Sequence, residues 1–213
     1  MVPVSAQPAS KPVGRRDRRK AEVRARIIDA SLELFSKQDY VDTTVEQITE
    51  AADVGKGTFF NYFDCKEQVL SGLSVRQLAR IEDAVDQAIR DERPAKETLR
   101  RLLHLTADTP GKSRTLMRNL LVGNFSSEQS SDYLREYVEQ ALGAVQELLR
   151  WARERGEVVS TESVESQARR FIQVYMGVTM MWVIQPGISL HEWLDVCITH
   201  YWQSIAADGG KQM

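Results

Sequence analysis

The stretch VGKGTFFNYF, Val54–Phe63, sets a glycine-flanked lysine beside Thr58, Asn61 and Tyr62 and interleaves three phenylalanines. Lys66 adds a second cation just downstream. An ammonium pairs with phosphate, an amide matches the donor and acceptor of a base edge, and hydroxyls reach backbone oxygens. Three arrangements would use these residue types: a phosphate-cradling loop, an aromatic core segment, or a short helix whose polar side meets a charged surface.

Other reactive side chains do not assemble into a recognisable site. Gly111-Lys112-Ser113 resembles the end of a nucleotide-binding loop, yet Thr106 stands where its first glycine is required, and Gly55-Lys56-Gly57-Thr58 also lacks the spacing. No GxSxG nucleophile motif is present. His104, His191 and His200 are dispersed, so no metal site is expected, and the spacing of His191 and Asp195 suits a cap or surface pair. Cys65 and Cys197 lie far apart without neighbouring cysteines; Cys65, near a helix start, is either a half-buried small residue or a thiol with a lowered pKa. The sequence thus points to no catalytic residues and no cofactor. The rival readings are a helical interaction module with vestigial DNA binding and an enzyme of unrecognised class.

The elements that would position Val54–Phe63 are helical. Val23, Ile27, Ala30 and Leu34 recur at helical spacing and predict a first helix over 18–37. Thr44, followed three residues later by Gln47, forms a capping box ahead of a second short helix containing Val45, Ile48 and Ala51. Asp53, Val54 and Gly55 break that helix, with Gly55 allowing a tight turn, and Thr58–Phe63 begins a third. Val23, Ile27, Leu34, Val45, Ile48, Ala51, Phe59 and Phe63 then supply the core of a helix-turn-helix unit, leaving Lys56, Thr58, Asn61 and Tyr62 outward. Gly57 keeps the front of that helix slim, and Phe60 is either a core residue or an apolar DNA contact.

Further helical stripes run from Leu70 to Arg90, from Pro94 to Leu105, around 113–122, from Leu134 to Ala152, over 162–184, and over 190–206. The run from Ser126 to Ser131 reads as a separator, and the apolar 171–184 stretch as a helix buried on several sides rather than a membrane span. The fold class expected is all-α: an N-terminal three-helix helix-turn-helix DNA-binding domain followed by a larger helical domain, to which the family resemblance described below assigns regulation and dimerisation. The expected divisions are a basic disordered leader at 1–17, the DNA-binding domain at 18–66, the larger domain at 67–208 and a flexible tail at 209–213.

With 42% hydrophobic and 27% charged residues, the composition is that of an ordinary folded protein, and the proline-rich start has no apolar run to serve as a signal peptide. A cytoplasmic location without membrane contact is the expectation. The net charge of -2 is uneven: residues 1–20 carry six basic groups against Asp17 alone, a balance of +5, leaving -7 on the remainder. A basic arm on an acidic protein is attracted to polyanions, although a solubilising tail has the same composition. Residues 21–66 hold five Lys/Arg against nine Asp/Glu, so any positive face there must be local.

The block RARIIDASLELF, Tyr40, TTVEQITEAADVGKGTFFNYF, Lys66, Glu67 and Leu70 resembles the TetR family of bacterial transcriptional regulators, with Gly55 where the family usually has Ser or Thr. The resemblance implies a recognition surface formed by Lys56, Gly57, Thr58, Asn61 and Tyr62. It also implies backbone contact with double-stranded DNA at Thr44 and a phosphate contact at Lys66. It further implies a homodimer built by the last two helices on a palindromic operator, and a central domain that takes a small-molecule effector. Met117, Phe125, Tyr137, Trp151, Phe171, Tyr175, Met176 and Met180 are the soft and aromatic side chains that could line such a cavity.

Overall fold

A computed structural model describes residues 14–206 except Pro110, Lys112, Pro186 and Ile188. Most of the expected leader and the 209–213 tail therefore lie outside the described residues. The helices are α1 (Arg15–Lys37), α2 (Val45–Ala51), α3 (Lys56–Phe60), α4 (Lys66–Arg90), α5 (Ala95–Ala107), α6 (Arg114–Asn124), α7 (Glu128–Glu154), α8 (Val164–Ile184) and α9 (Leu190–Gln203). The chain is all-α; a single bridge between Val158 and Ala206 is the one strand-like pairing among the described residues. None of the helices described is long and apolar enough to cross a membrane.

Several boundaries follow from capping rather than from apolar spacing. Helix α1 starts at Arg15 instead of Arg18, with Asp17 in its first turn, so the end of the expected leader is helical. The Ser126–Ser131 run separates α6 from α7 only at Ser126 and Ser127, and the rest of it is helical. Ser127 caps α7 by accepting from the Ser130 amide, and the helix begins at Glu128. Gly156, at φ 74, stops that helix in the left-handed conformation, while the Glu157 amide returns to the Ala152 carbonyl.

The turn between α2 and α3 has a different origin from the one expected. Its left-handed residue is Asp53, at φ 51, whereas Gly55 is extended at φ -70 and is the N-cap of α3, without a side-chain cap bond. An aspartate tolerates this conformation better than most residues.

Two apolar cores organise the helices. The first joins α1–α3 with the start of α4 through Ile27, Ile28, Phe35, Ile48, Phe59, Phe63 and Leu70, and is closed by Leu116 and Leu120 of α6. Ala51 is exposed and Ala52 takes its place in the core, because a seven-residue helix turns only one narrow face inward. The second core packs the rest of α4 along α7 and draws in α5, α8 and α9 around Leu99, Leu103, Leu148, Leu149 and Leu194.

Candidate nucleic-acid interface and internal cavity

Helix α2 is fixed at its start by Thr44. Its hydroxyl oxygen accepts from the Gln47 amide at 3.2 Å, and the Thr44 amide donates to Gln47 Oε1 at 2.9 Å. Helix α3 is held from beneath by Phe59 and Phe63, both buried, with ring centroids 5.7 Å apart. This leaves Thr44, Lys56, Gly57 and Asn61 exposed and Thr58 and Tyr62 half-buried on one side of the unit. A Cβ at Gly57 would meet nothing within 4 Å, so the front of α3 is open to an approaching surface. Phe60, whose role the sequence left open, is exposed and meets Phe59 edge-on at 5.4 Å. It therefore joins the outward face.

The two lysines differ. Lys56 is paired with Glu46 of α2, and both side chains are more than half exposed. Such a partner is readily exchanged for a phosphate oxygen, because an exposed pair is worth little in water. Lys66 instead donates to the carbonyl oxygens of Tyr40 at 2.7 Å, Thr43 at 2.9 Å and Val41 at 3.2 Å, and its ammonium lies 4.5 Å from the Tyr40 ring centroid. Its three donors are thus committed inside the protein. Burial lowers its pKa, and the geometry makes it a pin between α4 and the α1–α2 loop rather than a ready phosphate contact. Cys65 is the N-cap residue of α4, and burial pushes its thiol up, opposite to what a reactive thiolate needs.

Behind this unit, α4, α5, α6, α7 and α8 line a partly open cavity of about 120 Å³. Met117, Phe125, Tyr137, Phe171, Tyr175 and Met176 line it, together with Leu70, Leu73 and Leu121. Trp151 and Met180 do not: Trp151 packs on the second core under the Arg155 guanidinium, 4.6 Å away, and Met180 is half exposed on the outer side of α8. Both have the right chemistry but the wrong helical phase. Ser74, Gln77, Thr106, Asn124 and Thr179 also line the cavity and were missed as candidates. Gln77 gave a usable signal, since it interrupts the apolar stripe of α4. Burial raises the Tyr137 hydroxyl to about 12 and raises that of Tyr175 as well, so both stay neutral phenols.

A profile described as bacterial regulatory proteins, tetR family, matches residues 27–80, the segment that holds the whole outward surface and its supporting core. Residues 27–80 thus carry a tetR-family domain. It is 40% identical over 84 residues to the HTH-type transcriptional regulator TcmR of Streptomyces glaucescens, covering 39% of this chain and 35% of TcmR. Similarity to the HTH-type transcriptional regulator RutR of Escherichia coli is 32% over 121 residues, covering 55% and 57% of the two chains. The matched region thus spans between about a third and little more than half of these curated relatives. The crystal structure of Thermus thermophilus FadR, a TetR-family transcriptional repressor in complex with lauroyl-CoA, superposes with a TM-score of 0.63 at 27% identity, covering 89% of this chain and 98% of that one.

Helix α6 touches both the tetR-family domain and the cavity. Met117, Leu121 and Asn124 face the cavity, while Asn119, buried, donates through Nδ2 to the carbonyls of Phe35 and Gln38 at 2.8 Å each. Those are end carbonyls of α1 that have no partner within the helix. At Gly123 the helices approach so closely that a Cβ would lie 2.5 Å from Leu70 Cδ1 and 3.0 Å from the Tyr40 ring.

The end of α8 exposes apolar side chains, Met180, Met181 and Ile184, with Gly177 open on the same helix, and α9 exposes Val196 between Glu192 and His200. The 171–184 stretch is therefore buried on one side only in the single chain. Beside Val196, Asp195 accepts from Arg100 at 2.7 and 2.8 Å and meets His104 at 2.7 Å. His191 pairs with Asp108 at 3.1 Å, so the histidines tie α9 to α5 and the following turn.

Proposed function

We propose that this chain is a ligand-responsive transcriptional repressor. Two copies join through α8 and α9, present their α3 faces to a palindromic operator, and let go when a small apolar or amphipathic effector enters the cavity. The observation that carries this reading is the double attachment of α6, one side lining the cavity and the other bonded to the end of α1.

DNA recognition in this reading is divided by chemistry. Lys56 leaves Glu46 for a phosphate, Tyr62 and Thr44 offer hydroxyls to the backbone, and Asn61 presents its amide to a base edge. Thr58 and Gly57 shape the approach, and Phe60 offers an apolar edge to a thymine methyl or sugar. Lys66 acts indirectly, by fixing α4 against the α1–α2 loop. A unit this small gains selectivity from its second copy, which places two recognition helices about 34 Å or a multiple apart on the duplex. The exposed Met180, Met181 and Ile184 of α8 and Val196 of α9 support these helices as the joining surface.

An effector need only prefer the arrangement that spoils this spacing. A 100-fold loss of operator affinity corresponds to about 2.7 kcal/mol of coupling, with an equal weakening of the effector by DNA. The lauroyl-CoA complex of the Thermus thermophilus relative supports an effector with an apolar part in this fold. Selection from random genomic fragments, followed by mobility-shift titration, tests the reading. One preferred palindrome with steep salt dependence is expected, and a folded dimer with no preferred site refutes it.

A further inference from the structure

The cavity carries a second message in the residues that do not line it. Among the described residues, none that lines it is Asp, Glu, Lys, Arg or His. Its polar groups are hydroxyls and amides, and several already have partners: Thr106 donates to the Leu102 carbonyl at 2.8 Å, Thr179 to Met176 at 2.9 Å, and Gln77 Nε2 to Thr106 at 3.3 Å. Among the described residues, the Tyr137 and Tyr175 hydroxyls and the Asn124 side-chain amide have no such partner. Tyr175 is half-buried at the cavity wall, where its hydroxyl is open to a ligand or a water.

We propose that the effector is an uncharged, compact, mainly apolar molecule bearing a hydroxyl or carbonyl group, and that carboxylates and ammonium compounds of the same skeleton are rejected. This rests on the effector reading above and narrows it to one chemical class. An ion entering the cavity loses its hydration and finds no opposite charge, whereas a neutral hydroxyl or carbonyl finds phenol and amide partners. The rejection therefore costs the charged molecule at least about a hundredfold in affinity. Size points the same way: about 120 Å³ is close to the roughly 150 Å³ of an apolar cavity that holds benzene.

Matched pairs test this on the full-length dimer at pH 7.5: methyl benzoate against benzoate, 4-ethylphenol against 4-hydroxyphenylacetate, and cyclohexanol against cyclohexylammonium. Calorimetry reads binding, and mobility shift on the selected operator reads release. The expected result is binding and operator release by at least one neutral member, about a hundredfold tighter than its charged partner, with Tyr175→Phe weakening that binding about tenfold. A charged member binding within threefold of its neutral partner overturns the inference while leaving the effector reading intact. Neutral binding without operator release supports the inference and sinks the release mechanism. Binding by no member of any pair refutes both.

Discussion

Replacing Asn119 with alanine tests the connection between the cavity and the DNA-binding unit at its narrowest point. The residue is 2% exposed, and its amide closes two carbonyls at the end of α1, Phe35 O and Gln38 O, at 2.8 Å each. A neutral hydrogen bond contributes about 1 kcal/mol net, and a buried acceptor left unmatched costs about 1–3 kcal/mol. The Gln38 carbonyl is the less buried of the two and can recover a water, so the sum expected is about 3 kcal/mol. At about 2–4 °C per kcal/mol for a chain of this length, the melting temperature should fall by about 6–12 °C. Thermal denaturation at one fixed protein concentration is the assay, because dimerisation makes the midpoint depend on concentration.

The control is Arg118→Ala on the same helix. Arg118 reaches Asp39 at 2.5 Å, but both side chains are more than half exposed. Its loss should cost no more than about 1 kcal/mol. Asn119 does not line the cavity, so the alanine variant should keep effector affinity and lose much of the effector's power to release operator. An Asn119→Ala protein within about 0.5 kcal/mol of the parent, with release undiminished, refutes the role given to α6.

Lys66→Met should lower stability by about 2–3 kcal/mol through its three lost carbonyl partners, yet leave the salt slope of operator binding unchanged; Lys56→Ala should do the reverse, and equal slopes in both variants would contradict the distinction. Val196→Asp puts a charge in place of the exposed valine of α9, and sedimentation should show a folded monomer, whereas an unchanged dimer would move the interface elsewhere. Asp195 is held down to about 2, first by its hydrogen bonds from Arg100, below the ordinary carboxylate value of about 3.9. A depressed folded pKa gives stability that is present above the unfolded value and lost as pH falls from about 4 through about 2. Because the side chain is over a third exposed, the loss should stay under about 1 kcal/mol, and Asp195→Asn should flatten that part of an acid denaturation profile.

The sequence alone determined the local architecture: the capping box at Thr44, the phenylalanine pair four residues apart, and the apolar stripes that make the chain all-α. These are legible because they depend on neighbours within one or two turns, where side-chain chemistry and helical period act directly. The polar residues of the outward face were legible for the same reason, once Phe59 and Phe63 were assigned to the core.

Tertiary structure alone decided what those residues touch. Lys56 and Lys66 are equally cationic in the sequence, but only folding brings three carbonyl oxygens around Lys66 and leaves Lys56 with an exposed carboxylate. Trp151 and Met180 match their cavity-lining neighbours in type and were excluded by the rotation of their helices, while Asn124 and Thr179 were admitted by it. The Asn119 bridge joins residues more than eighty positions apart, and the close approach at Gly123 depends on the side chains of Leu70 and Tyr40. Such contacts are set by how rigid helices rotate and cross to close a common core, and the spacing along any one helix does not encode that rotation.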